Sequence, residues 1–208
     1  MPNPLTIAVP KGRILEELAP LFAKANIDLT VFMGKSRKLL VETPQARLLL
    51  LRASDVPTYV EYGVADIGVS GSDTLVEDGA DLIEPLDLGI GACRMAVAAH
   101  VSRADQGYAG SFVKVATKYP NTARRFFRSR GIEAIIVKLY GSVELAAIAG
   151  LADLVVDIVS TGATMKANDL VELETIGTVT SRVVVNRASL KTRHREIDAL
   201  VTALQEAL

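Results

Sequence analysis

The residues best suited to chemistry in this 208-residue chain sit in a few short stretches. The first is "DLVVDIVSTGATMKAND", residues 153–169. An apolar run carrying two acids gives way to Ser160-Thr161-Gly162-Ala163-Thr164 and then to a helix-like pattern. At such a strand-to-helix turn the first backbone N–H groups have no internal partner and favour an anion. Gly162 lets the backbone approach closely, and Thr161 and Thr164 add hydroxyl donors. The turn reads as a phosphate cup. Asp157, just upstream, is placed to accept from sugar hydroxyls, and a phosphate beside a sugar diol suggests a ribose 5-phosphate group. An ordinary capped turn also fits these residue types. An acid inside so apolar a run favours the phosphate reading, because an unpaired buried carboxylate is costly. The stretch contains neither GxxxxGK[ST] nor GxGxxG.

Three further stretches carry charge at turns. "PKGR", residues 10–13, sets Lys11 and Arg13 on either side of Gly12, an arrangement suited to a polyphosphate and equally to a solvated basic turn. "GKSRK", residues 34–38, holds three cations, and from its composition alone a solvated loop is the simpler reading. "GSVEL", residues 141–145, puts Glu144 in the first turn of a helix, where an acid complements the helix dipole or faces the same ligand as Asp157.

The whole chain limits what these stretches can serve. A net charge of -1 gives no broad footprint for nucleic acid. The single cysteine, Cys93, excludes an internal disulfide and suits a reducing, cytoplasmic setting. His100 and His194 have no ligand-like spacing, so no zinc site is expected. No secretory leader is visible in the first ten residues, and no run reaches the roughly 18 apolar residues of a membrane span.

Alternating patterns supply the elements that must hold these turns. Strands are expected at 5–9, 47–52, 65–69, 113–117, 134–139, 154–159 and 181–186. Helices are expected at 14–25, from 54 to Gly63, from Gly71 to near Gly79, at 121–130, at 142–149, from 164 and at the end of the chain. Pro20 inside the first helical pattern allows a kink or break. Ser54-Asp55 is expected to cap the second helix, with Pro57 in its first turn. The last helix places Ile197, Leu200, Val201, Leu204 and Leu208 on one face. Alternation of strand and helix argues for mainly parallel sheets covered on both faces. Two βα series suggest two lobes, with "DLGIGACRM", residues 87–95, as the first crossing and a return near Ser181. Two-lobed α/β proteins bind ligands in the interlobe cleft, at the carboxyl ends of the strands.

Taken in order, "AVPKGRI", "LRASDVPTYVEYGVADIGVSG", "VATKYPN", "KLYGSVELAAIAGLADLVVDIVSTGAT" and "VVVN" resemble the ATP phosphoribosyltransferases over essentially the whole chain. Each motif alone is weak, and their ordered combination is specific. The resemblance implies a two-lobed α/β fold of the periplasmic-binding-protein type (type II). Residues 1–92 and 182–208 would form the ATP lobe, and 93–181 the phosphoribosyl pyrophosphate lobe. It also implies the first step of histidine biosynthesis, in which N1 of the ATP adenine joins C1 of 5-phosphoribosyl 1-pyrophosphate and pyrophosphate leaves. It implies Mg²⁺ carried by the pyrophosphate and no metal ligand from the protein. The chain resembles the short form, which lacks a C-terminal regulatory domain. Short forms work as homodimers within a hetero-oligomer that includes a regulatory subunit related to histidyl-tRNA synthetase.

Carried over by position, Thr161, Gly162, Ala163 and Thr164 match the 5-phosphate loop, and Asp157 and Glu144 lie near the ribose and its pyrophosphate. Lys11, Gly12 and Arg13 match positions at the ATP and pyrophosphate site. Arg37 would stabilise the leaving pyrophosphate, and Gly71 and Asp73 are weaker matches on the ATP side. Ser160 and Ser72 stand where relatives differ and receive no role. The rival readings are a small-molecule-binding domain of the same fold without catalysis, and a type I phosphoribosyltransferase, whose loop carries adjacent acids where this chain has Asp153 and Asp157 four apart.

Overall fold

A computed structural model describes residues 4–34, 37–108 and 112–208. Lys35 and Ser36 of the GKSRK stretch lie outside the described residues. The chain divides into two compact units, Met1–Gly91 with Thr180–Leu208, and Ala92–Val179.

In the first unit the order is β1 (Leu5–Pro10), α1 (Arg13–Lys24), β2 (Leu40–Glu42), β3 (Ala46–Leu51), α2 (Val56–Glu61), β4 (Ile67–Gly71), α3 (Ser72–Asp78) and β5 (Ile83–Asp87). The second unit follows with β6 (Cys93–His100), β7 (Val113–Thr117), α4 (Pro120–Ser129), β8 (Ala134–Lys138), α5 (Glu144–Ile148), β9 (Leu154–Val159), α6 (Ala163–Ala167) and β10 (Leu170–Val179). The chain then returns to the first unit with β11 (Ser181–Val185), α7 (Arg187–Thr192) and α8 (His194–Ala207).

The first sheet has the order β2-β3-β1-β4-β11-β5 and the second β10-β6-β9-β7-β8. Parallel pairing holds at the centre of the first sheet, β1 with β3 and β4, and along one side of the second, β7 with β8 and β9. Both sheets are mixed, which corrects the expectation of mainly parallel strands. The strands by which the chain enters each unit, β6 after β5 and β11 after β10, have no helix before them to reverse its direction. β11 therefore lies antiparallel to both β4 and β5, and β6 antiparallel to both β9 and β10.

Each sheet is buried on both faces. In the first, Ile7, Val9, Ile67 and Val69 pack under α1 and α8, while Ala8, Leu49 and Val184 pack against Val56, Val60 and Leu75 of α2 and α3. In the second, Val97, Val115, Leu154 and Val156 meet Phe126 and Phe127 of α4, while Ala96, Val155 and Val159 meet Ala146 of α5 and Met165 of α6. Continuous apolar runs such as "LVV" in β9 follow from this two-sided burial.

Three local expectations change. Helix α1 runs unbroken through Pro20, whose ring lies exposed on the solvent side. Asp55 makes no side-chain cap to α2. A 3₁₀ turn over Ala53–Asp55 leads into that helix, and Ser54 Oγ donates to Asp55 at 3.0 Å instead. In α8, Ile197, Leu200 and Leu204 are buried, but Leu208 is 58% exposed, because the helix ends at Ala207 and that alanine completes the buried stripe.

Candidate functional site

In the second unit the parallel strands β7, β8 and β9 finish at one edge of the sheet, where β6, running the other way, begins. Beyond Val159 the chain turns through Ser160, Thr161 and Gly162 before α6. Gly162 has φ 77°, a left-handed backbone that a side chain would strain. Thr161 Oγ1 accepts the N–H of Ala163 at 3.3 Å and fastens the turn on itself. The N–H groups of Thr161 and Gly162 have no partner among the described residues. Thr161 and Thr164 are exposed. Together with Glu144, the first residue of α5, the residues of this turn line a pocket of about 170 Å³. Helix α6 has only five residues, too short for a strong dipole, so the donors of this cup are loop N–H groups and hydroxyls.

Asp157 lies on the same face of β9 as Val155 and Val159, the face covered by α5 and α6. It is half-buried, and its Oδ1 accepts the N–H of Ile158 at 2.8 Å. It does not line the cup's pocket itself. The structure thus brings Glu144 together with residues 161–164 and places Asp157 on β9, four residues before Thr161.

In the first unit, β1, β3 and β4 also finish at one edge. Lys11 follows β1 and is exposed, and its backbone N–H donates to the Leu51 carbonyl of β3 at 2.9 Å. Gly12 has φ 92° and opens α1. Arg13 is engaged by Glu17 one turn on, at 3.2 Å. Gly71 ends β4, next to β1, and Asp73 sits in the first turn of α3. A Cβ on Gly71 would come within 2.2 Å of Asp73 Oδ1, so the carboxylate occupies the space a side chain would need. Arg37 is exposed, and no described contact joins it to Lys11 or Arg13.

Three side chains at these edges escaped the sequence reading. Arg52 follows β3 immediately beside Lys11 and is exposed, and the terminal arginine of "RLLLLR" was the available signal. Ser70, 1% exposed near the end of β4, has a hydroxyl without a partner among the described residues, which no sequence pattern reveals. Arg94, near the start of β6, reaches Ser160 at the root of the cup. Its anchor is Glu172 of β10, whose carboxyl is held below the usual range chiefly by the hydrogen bond from Arg94.

Among the described residues no group of three His, Cys, Asp or Glu side chains converges to hold a metal ion. Hard oxygen donors are present singly, in Glu144 and Asp157, which suits a cation that arrives with most of its ligands supplied by phosphate and water.

Residues 52–206 match the family model described as ATP phosphoribosyltransferase. A relative from Syntrophotalea carbinolica named ATP phosphoribosyltransferase is 52% identical, with 100% of this chain and 97% of that protein aligned. The chain belongs to the ATP phosphoribosyltransferase family. The solved ATP phosphoribosyl transferase (HisG:HisZ) complex from Thermotoga maritima contains a chain 37% identical to this one, with TM-score 0.86 and 98% of each chain covered. The substrate-binding protein of an amino acid ABC transporter shares the fold, with TM-score 0.60 at 11% identity. Membership of the family sets aside the reading of this chain as a type I phosphoribosyltransferase.

Proposed function

We infer that this chain catalyses the first step of histidine biosynthesis, joining N1 of the ATP adenine to C1 of 5-phosphoribosyl 1-pyrophosphate. The observation that carries the assignment of its site is the single pocket shared by Glu144 and residues 161–164. In this reading the loop N–H groups of Thr161 and Gly162 and the hydroxyls of Thr161 and Thr164 bind the 5-phosphate. Glu144 and Asp157 accept from the ribose hydroxyls, because a carboxylate beside the phosphate itself would be repelled. Lys11, Gly12 and Arg13, with Gly71 and Asp73, take the ATP side, and Arg37 serves the pyrophosphate.

The adenine N1 lone pair forms the new bond as the C1–O bond breaks, and pyrophosphate leaves with that bond's electron pair. The attacking nitrogen carries no proton to remove, so the work left to the protein is positioning and charge stabilisation. Mg²⁺ on the pyrophosphate would neutralise part of the leaving group's charge, with Glu144 and Asp157 able to hold its waters. By analogy with the Thermotoga maritima complex, the partner is a HisZ-like regulatory subunit, here joined to a dimer of this chain. The setting is the cytoplasm.

The test mixes the purified chain with ATP, phosphoribosyl pyrophosphate, Mg²⁺ and pyrophosphatase, with and without a HisZ-like subunit, and follows the absorbance of N1-ribosylated adenine. Thr161→Val with Thr164→Val removes two hydroxyls from an anion site. It should raise KM for phosphoribosyl pyrophosphate by roughly tenfold to a hundredfold and leave KM for ATP nearly unchanged. Equal effects on both substrates would remove the cup assignment. Ligand binding without any product would leave a binding domain.

A further inference from the structure

Arg94 and Glu172 belong to none of the short motifs by which the sequence resembles the family, yet they meet at the root of the cup. Arg94 lies on β6 between two neighbours, paired with Val159 on β9 and with Thr178 on β10. Its side chain shares the sheet face of Ala96 and Ala98, the face that also carries Val155, Val159 and the cup. Nε and Nη2 both donate to Glu172 Oε2, at 2.8 and 2.7 Å. The other oxygen of Glu172 accepts from Thr175 Oγ1 at 2.6 Å. The remaining nitrogen, Nη1, lies 3.5 Å from the carbonyl oxygen of Ser160.

This arrangement is not that of a phosphate ligand. Glu172 compensates the charge of Arg94, and two of the three guanidinium nitrogens are already committed. What the third touches is the first carbonyl of the loop. None of the described peptide bonds is cis. In a trans peptide the C=O and the following N–H point in opposite directions. Holding the Ser160 carbonyl toward Arg94 therefore turns the Thr161 N–H away from Arg94, and that N–H is one of the two left without a partner. We propose that Arg94, braced by Glu172 and Thr175, is a positioning residue that sets the plane of the Ser160–Thr161 peptide so that the Thr161 N–H is presented to the 5-phosphate. The inference rests on the reading of the cup given above and adds the device that aims it.

A planar guanidinium can hold a carboxylate through two nitrogens and a carbonyl through the third, whereas an ammonium offers a single point. Arg94→Met removes both contacts at similar length, and Arg94→Lys keeps the charge. Steady-state kinetics and calorimetric titration with phosphoribosyl pyrophosphate are measured for each, with thermal melting to confirm folding. Arg94→Met should raise both KM and the dissociation constant for phosphoribosyl pyrophosphate by about tenfold, with KM for ATP changed less than about twofold and kcat less affected. Arg94→Lys should recover part of that loss. A fall in melting temperature with unchanged phosphoribosyl pyrophosphate affinity, or equal losses for both substrates, would make Arg94 a structural residue only and leave the cup standing. Failure of the unmodified chain to bind phosphoribosyl pyrophosphate would remove the cup, and the positioning role with it.

Discussion

Glu172 and Glu174 stand two residues apart on β10 and face opposite sides of the sheet. Side chains two apart on a regular strand share a face. Here the register against β6 slips between them, Glu172 opposite Ala98 and Glu174 opposite Val97, and this bulge at Leu173 turns one glutamate over. Glu172 meets Arg94 beside the cup. Glu174 meets Arg130 and accepts from the Tyr108 hydroxyl at 3.0 Å on the α4 side, where Arg130 also lies over the Phe126 ring. Burial, with Glu174 adding to it, pushes the Tyr108 phenol up to about 12.

The two glutamates should therefore separate in function. Glu174→Gln should lower the melting temperature by about 2–4 °C, the worth of roughly one kcal/mol in a chain of this size, and leave KM for phosphoribosyl pyrophosphate within about twofold. A rise in that KM as large as the one expected for Arg94→Met would mean that the two sheet faces are not independent.

Glu172 also sets a pH signature. Its folded-state carboxyl titrates below the usual glutamate range, chiefly through the hydrogen bond from Arg94, so its stabilisation is fully present above that range and is lost as pH falls through the lower, folded-state value. Glu172→Gln should cost about 1–3 °C of melting temperature at neutral pH, since the pair is partly solvated, and the difference should shrink in acid and disappear once the pH is below the folded-state value. A difference that persists unchanged into acid would show that the carboxylate's charge is not what holds Arg94.

Gly71 and Asp73 allow a test that spares the fold. The clash expected at 2.2 Å from a Cβ on Gly71 falls on the end of the Asp73 side chain, which can swing aside. Gly71→Ala should keep its melting temperature within a degree or two while KM for ATP rises about fivefold or more. A large loss of stability with unchanged KM for ATP would remove both residues from the ATP side.

Asp66 makes the opposite kind of prediction. Its Oδ2 accepts from the Thr6 N–H at 2.8 Å and from Arg193 at 3.0 Å, and its Oδ1 accepts from Ser189 Oγ at 2.7 Å. One carboxylate thus ties β1, α7 and the start of α8 together at the strand edge away from Lys11. Asp66→Asn leaves Arg193 with Glu196 as its remaining charge partner and removes the carboxylate charge from a site where Asp66 and Arg193 are each less than a fifth exposed. It should cost about 2 kcal/mol, a fall of roughly 4–8 °C, with both KM values nearly unchanged. A kinetic defect without a stability loss would reverse that assignment.

These contrasts mark how far the sequence could be read. The strand-to-helix turn after β9 was legible because "LVVDIV" spelled out the strand and the small residues with Gly162 marked its end. β6 was not expected, whereas β1, β3, β4, β7, β8 and β11 were legible as apolar runs too. Strand β10 was not. Its bulges break the two-residue period, so "LVELETIGTV" shows neither alternation nor a continuous apolar run. Arg94 and Arg52 were missed because each is one arginine at the end of an apolar strand, and only pairing places Arg94 beside Ser160 and Arg52 beside Lys11. The mixed sheets were missed because direction across a sheet depends on which strands neighbour one another, and strand-and-helix alternation is silent about the helix-free crossings.

Arg37 carries the last prediction. It is exposed in the first unit, in a stretch that composition alone assigns to a solvated loop. A solvated arginine can be replaced at no kinetic cost. One that meets the pyrophosphate only as charge develops on it stabilises the transition state more than the ground state, and its loss appears in kcat. Arg37→Ala should lower kcat by about a hundredfold, the scale of removing one preorganised charge donor, while both KM values change less than about threefold. Arg37→Lys, with a single ammonium in place of the fork, should recover only part of that rate. Burst kinetics would place the loss in the chemical step rather than in product release. An unchanged kcat would return Arg37 to the solvated loop and leave Lys11 and Arg52 as the cations to test next.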